Sequence, residues 1–231
     1  MHSLPKLSPL QVLELSAVLD ALGATERSEL AAVSRVVRAR RGEVLWANGA
    51  LTDFFGVSAD GFVKMVRSCA NGTDVTLELM GPGQVFGLMG TVTETGCPLS
   101  AIAVTDLNYL RIPKTKFLEI YRRSMPLKDQ LIKKTALRLH GFVDFMARLS
   151  SGRIDERIAA NLFILAESYG HRKNGVLSLE VPLTRQEIAE MAGTTVESTI
   201  RTMSKWQKAG LITTNQHLIT ILDEKSLQAV L

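Results

Sequence analysis

Between Leu183 and Trp206 the chain reads LTRQEIAEMAGTTVESTIRTMSKW, and few local folds accommodate that run. Thr184 stands three residues before Glu187. That is the spacing of a capping box, in which the hydroxyl accepts backbone N–H groups and the carboxylate reaches back to the capping residue. A helix is therefore predicted over 184–192, with Ile188, Ala189 and Ala192 on its apolar side. Gly193 can take the positive φ that ends a helix tightly. Thr194 or Thr195 can cap a second helix over 195–209, whose inward side is read as Ile200, Met203 and Trp206. ITTNQHLITIL then reads as a hairpin. Two short helices about a glycine turn, followed by a β-wing, make a winged helix-turn-helix.

Glu197 and Arg201 lie one turn apart on one face at the start of the second helix. Where such a helix enters the major groove, Arg can hold guanine O6 and N7 while Glu accepts from cytosine N4, each worth about 1–3 kcal/mol of discrimination. An ordinary surface ion pair at this spacing would be worth only about 0.3–0.5 kcal/mol. The capping box, the turn glycine, Trp206 and the wing around the pair favour DNA reading. Bulk charge does not carry the argument. Residues 150–231 hold 9 Lys/Arg and 9 Asp/Glu, and the net +4 comes from residues 1–149, with 18 basic against 14 acidic. Double-stranded DNA binding must therefore rest on particular side chains.

The remainder of the chain divides by texture. Residues 8–40 read as helical, from Val12, Leu15, Leu19 and Leu22 and then from Thr25 through Leu30 and Val33. From Arg41 to Pro113, short β-prone runs such as EVLWA, GFVKMV and DVTLELM alternate with glycines, the pattern of a sandwich or barrel. After Pro126 comes a long helix, 126–149. Ile132, Thr135, Leu139, Phe142, Met146 and Leu149 form a heptad seam along it, suited to a partner helix and hence to a homodimer. A second stripe, Ala136, His140, Val143 and Ala147, is available to cover the barrel. LSSGRID, 149–155, reads as a hinge before a helix from about Asp155 to Tyr169, and VLSLEVPL follows as a β-prone run. The fold class is thus α+β, with domains at 1–125, 126–149 and 150–231.

Several classes are set aside. No apolar run approaches the roughly 18 residues of a membrane helix, and MHSLPKLSPLQVLEL lacks a secretory pattern, so a cytoplasmic location without membrane attachment is expected. Cys69 and Cys97 are too few for a disulfide scaffold, and Cys69, near NGT, is the candidate for a thiol-redox role. A β-barrel oxygenase needs clustered His and carboxylate ligands. His2, His140, His171 and His217 all lie outside 41–113, so neither an enzyme nor a metal site is expected.

LTRQEIAEMAGTTVESTIRTMSKWQKAGLI resembles the DNA-binding motif of the CRP/FNR superfamily of bacterial transcription regulators. GPGQVFG and the glycine-spaced strands resemble its effector-binding β-roll, a cyclic-nucleotide-binding-like jelly roll, and 126–149 resembles its dimerisation helix. The resemblance implies that Glu197 and Arg201 read bases, with Val196 and Ser198 beside them. Arg185, Gln186, Thr195 and Lys205 are then phosphate contacts, assisted by His217. VExxxR is similar to the branch whose half-sites resemble TTGA in an inverted repeat. Ile200 departs from the Ser of that branch, which bears on the outermost bases. RNA polymerase is implied as a partner where such a regulator activates.

In the sensor half the resemblance places a ribose-binding Glu and a phosphate-binding Arg-Ser pair where this chain has Leu88 and Leu99 with Ser100. A phosphate buried without its Arg costs several kcal/mol, so a cyclic nucleotide is not expected. Two cysteines cannot supply a four-thiolate iron–sulfur cluster. An apolar effector pocket of Phe86, Leu88, Met89, Leu99 and Ser100, with His140 and Val143 from the helix, is expected to take a small-molecule or gas effector. If the cofactor were haem, sensing nitric oxide or carbon monoxide, His140 would be its axial ligand, with Cys97 and Met89 behind it. The remaining alternatives are a regulator that needs no effector or responds through thiols, and a ligand-binding module that does not bind DNA, against which the intact winged motif argues.

Overall fold

The computed structural model describes residues 7–70, 72–173 and 175–231, and in the longest helix the side chains of 144, 145 and 148–151 lie outside that description. The chain falls into two compact units, one ending at Leu139 and the other running from His140 onward, with Cys69–Thr76 grouped in the second.

The first unit opens with α1 (Pro9–Glu14), where the Ser8 N–H donates to Gln11 Oε1 at 2.8 Å and the Gln11 N–H to Ser8 Oγ at 3.3 Å. After α2 (Ala24–Val33) the predicted helical stretch ends early. Residues 35–40 are not helical, because Arg35–Ala39 form strand β1. Ser34 closes α2, its hydroxyl donating to the Leu30 carbonyl at 2.7 Å. The Val36–Val37 pair that follows suits a ladder better than a helix, since β-branched side chains are stiff at χ1.

The strands that follow are β2 (Val44–Trp46), β3 (Phe54–Asp60), β4 (Val63–Ser68), β5 (Asp74–Met80) and β6 (Val85–Phe86), then the short helix α3 (Leu88–Val92), β7 (Ser100–Ala103) and β8 (Leu107–Pro113). They form two four-stranded sheets, in the orders β1-β8-β3-β6 and β2-β7-β4-β5. The alternation of β3 sorts its side chains between two cores. Phe54 joins Trp46, Phe86 and Tyr109 inside the roll, while Phe55, Val57 and Ala59 join the cluster shared with the helices. That second cluster takes in Phe117, Leu118 and Ile120 from α4 (Lys114–Arg123), a helix to which the sequence pattern assigned nothing.

The long helix α5 runs Met125–Ser151, 27 residues. It continues through the start of the expected hinge, which narrows to Gly152 and Arg153. Gly is the residue there that a helix least tolerates, and the Arg153 N–H is already taken by Glu156 Oε2 at 3.0 Å in the next helix. Of the heptad seam, Ile132 (67% exposed), Thr135, Leu139, Phe142 and Met146 are all exposed in the single chain, and the Leu149 side chain lies outside the described residues. The second stripe, Ala136, His140, Val143 and Ala147, anticipated as a cover for the barrel, is exposed too in the single chain.

The second unit continues with α6 (Ile154–Tyr169), β9 (Gly170–Lys173), β10 (Val176–Leu179), α7 (Arg185–Ala192), α8 (Val196–Lys208), β11 (Ile212–Asn215), β12 (Leu218–Ile221) and α9 (Glu224–Gln228). Its sheet has the order β11-β12-β10-β9. The Asn161 amide on α6 donates to the Met191 carbonyl on α7 at 3.1 Å, fixing one helix against the other. Among the described residues no helix is long and apolar enough to cross a membrane.

Candidate nucleic-acid interface

The turn between α7 and α8 forms as its residues dictate. Glu187 N–H donates to Thr184 Oγ1 at 3.2 Å while Thr184 N–H donates to Glu187 Oε2 at 2.7 Å, so both halves of the capping box are made. Gly193 sits at φ 57°, ψ 46°, the left-handed conformation a β-carbon would strain. Thr195 then caps α8, accepting from the Ser198 N–H at 3.2 Å, and its carbonyl takes the Thr199 hydroxyl at 3.1 Å.

The inward face of α8 is Thr199, Met203 and Trp206, all buried. Ile200, expected inside, is 47% exposed instead. Positions 199, 203 and 206 follow the helical repeat, and residue 200 is turned about 100° from 199, onto the side that carries Glu197 and Arg201. Glu197 and Arg201 are both exposed, and among the described residues neither makes an ion pair or a side-chain hydrogen bond. The competing account of the pair as a surface salt bridge is therefore not what the structure contains. Val196 and Ser198 are partly buried on the same first turn, and Lys205 is exposed further along.

Arg185 opens α7 half-buried, and its Nη2 donates to Thr214 Oγ1 on the wing strand β11 at 3.1 Å. Burial pulls its pKa below the usual guanidinium value, which still leaves it charged at neutral pH. Thr214 is the partner that sequence reasoning missed, since the contact closes over 29 residues. Gln186 donates to Glu190 Oε1 at 3.0 Å, so its amide is engaged within α7. His217 is exposed at the wing tip, where Gln216 and His217 both have positive φ, 47° and 68°. Its carbonyl is held by the Leu183 N–H at 2.9 Å.

The residues nominated for an effector pocket occupy several settings. Phe86 is buried in the roll interior and Leu99 packs against the same cluster, whereas Leu88 packs against the helical cluster on the other side of the sheet. Ser100 Oγ accepts from the Asn48 N–H at 2.9 Å. Met89 on α3 is 61% exposed, and His140 and Val143 are exposed on α5. Cys97 is buried with its sulfur 3.7 Å from Thr52 Oγ1, and Cys69 is exposed. Among the described residues no three His, Cys, Asp or Glu side chains group as a metal site.

Residues 156–230 match the Crp-like helix-turn-helix domain family, and residues 36–124 match the cyclic nucleotide-binding domain family. The chain belongs to the CRP/FNR family of transcription regulators. Its CRP/FNR relatives include a "CRP-like cAMP-activated global transcriptional regulator" from Mycobacterium tuberculosis, 25% identical over 81% of this chain and 84% of that protein. The "Nitrogen fixation regulation protein FixK" of Bradyrhizobium diazoefficiens is 26% identical over 93% of this chain and 90% of that one. The solved structure of FixK2 from Bradyrhizobium japonicum shares the fold, with a TM-score of 0.76 at 20% identity, over 86% of this chain and 97% of that one. Like other CRP/FNR members, the chain is a DNA-binding regulator of transcription and not an enzyme.

Proposed function

We propose that two copies of the chain pair through α5 and read a palindromic double-stranded DNA site with TTGA-like half-sites, one α8 in each of two successive major grooves. The observation that carries this reading is the outward face of α8. Glu197 and Arg201 stand there exposed and unpaired among the described residues, on a helix anchored from behind by Thr199, Met203 and Trp206. A guanidinium with no internal partner is free to take guanine O6 and N7. Ile200 adds an exposed apolar contact suited to a thymine methyl at the outer end of the half-site. Arg185, held by Thr214, supplies a phosphate contact that sets register without reading sequence. The exposed stripe Ile132, Leu139, Phe142 and Met146 is the surface through which the copies meet, and RNA polymerase is the further partner where the bound dimer activates.

Cyclic nucleotide is not the ligand this reading assigns to the roll. Leu88 and Leu99 stand at the ribose and phosphate positions, and a buried phosphate without a guanidinium is unfavourable by several kcal/mol.

The test is Arg201→Ala, measured by fluorescence anisotropy on a TTGA palindrome and on a scrambled duplex. Loss of the contact in both half-sites lowers the ratio of the two affinities by on the order of 10²-fold or more, leaving most of the scrambled-duplex affinity intact. Equal losses on the two duplexes would remove Arg201 from base reading.

A further inference from the structure

Inside the roll, Trp46 ends β2 and is only 6% exposed. Its ring lies so close to Gly87 that a β-carbon there would come within 2.7 Å of Trp46 Cη2 and 2.9 Å of Cζ2. Gly87 also has φ 81°, so both space and backbone exclude a side chain. Phe86 stacks on the indole with centroids 5.6 Å apart and planes at 22°, and Phe54 meets it edge-on at 5.5 Å and 80°. Tyr109 completes the ring cluster, 5.5 Å from Phe86 and 6.4 Å from Phe54. The indole N–H, its one polar group, donates to the Leu99 carbonyl at 3.0 Å.

Two of these neighbours, Phe86 and Leu99, are residues nominated above for the effector pocket, and Ser100 beside them accepts from the backbone of Asn48, two positions beyond the Trp. A second glycine makes room as well. A β-carbon on Gly56 would come within 2.1 Å of Phe86 Cζ. A ring stacked on one neighbour, met edge-on by another, faced by a bare glycine and satisfied at its only donor is held as a free aromatic ligand would be held in a binding site.

We propose that the interior of the roll is a site for a planar aromatic ring, and that its occupant is the chain's own Trp46, a tethered ligand. The short strand that carries the ring pairs Trp46 with Ala101 on β7. Its effective concentration at the site is therefore high, and a diffusing ring of the same size is displaced by mass action. This deepens the reading of the chain as a DNA-binding regulator: input reaches it by some route other than a small molecule seated among these rings.

The experiment uses the full chain and free indole as the probe. Trp46→Gly vacates the site, its melting temperature falls by roughly 10 °C, and millimolar indole restores much of that loss saturably, while the unaltered protein shows no shift with indole. In parallel, the unaltered protein labelled with 5-fluorotryptophan is followed by fluorine NMR. It has only two tryptophans, so Trp46→Phe assigns the resonances. A Trp46 resonance indifferent to indole is expected.

Two results would overturn the proposal. One is indole moving the Trp46 resonance or the melting temperature of the unaltered protein, which reveals vacant ring space beside Trp46. The other is a folded Trp46→Gly protein that indole fails to stabilise. Should Trp46→Gly not fold, the fluorine spectrum of the unaltered protein decides alone. None of these measurements involves DNA, so their failure and that of the Arg201 test are told apart.

Discussion

Each half of the chain carries one tryptophan. Trp206 is 3% exposed behind α8 and Trp46 is 6% exposed inside the roll, yet the two rings serve opposite ends. Trp206, with Met203 and Thr199, holds a helix from its inner side so that Glu197, Ile200 and Arg201 can stay exposed and uncommitted. Trp46 faces inward to Phe86, Phe54 and the Leu99 carbonyl, and leaves nothing presented to a partner. A surface that reads DNA must keep its polar groups unpaired until the bases arrive, because a donor satisfied internally has no differential affinity to offer. An interior has the contrary requirement, since open space and unmet donors there are destabilising.

The comparison breaks most visibly at Trp206. Trp206→Ala is expected to cost about 3–5 kcal/mol and to lower affinity for cognate and scrambled duplexes together, because the helix itself loosens. Chemical denaturation followed by anisotropy checks this, and a Trp206→Ala protein that kept cognate discrimination would show that α8 does not depend on its core. Less costly to the fold is a change on α5, whose exposed face is apolar where that of α8 is charged. In the proposed dimer Leu139, 59% exposed in the single chain, would be a central contact. Leu139→Glu should raise the dimer dissociation constant by on the order of 10²–10³-fold, one lost contact per copy. Light scattering coupled to size exclusion reads this directly, and an undisturbed dimer would move the interface off α5.

The smallest effect belongs to the wing. His217, at φ 68°, holds a conformation that favours glycine. His217→Gly should raise stability by about 0.5–1 kcal/mol in a denaturant titration, and a loss would mean that the side chain stabilises the turn by contacts of its own.

What could be read from sequence follows from how local each feature is. Thr184 with Glu187, Gly193 and Thr195 act over three or four residues, so capping chemistry alone delimits α7 and α8. At residues 35–39 the helical spacing of Leu30 and Val33 extends misleadingly past Ser34, whereas Val36 and Val37 pair with Leu110 and Tyr109 on β8. Hydrophobicity and the spacing to Met203 and Trp206 point Ile200 inward. One residue of phase decides its side, and the buried Thr199 is polar, so the pattern hid it. Trp46 could not be recognised, since the groups that hold it lie 8 to 53 positions further along the chain, from Phe54 to the Leu99 carbonyl. Arg185 and Thr214 meet for a similarly non-local reason.

The division of labour on α8 also bears on how such regulators diverge. Side chains that face outward carry no folding duty, so on the proposed reading substitution at 197, 200 or 201 would change which operators are bound while leaving the stability of the helix nearly untouched. A lineage carrying this scaffold can therefore redraw its set of target genes in single steps, each one folded and testable by selection. Change on the inner face, at the buried Thr199, Met203 or Trp206, costs stability first.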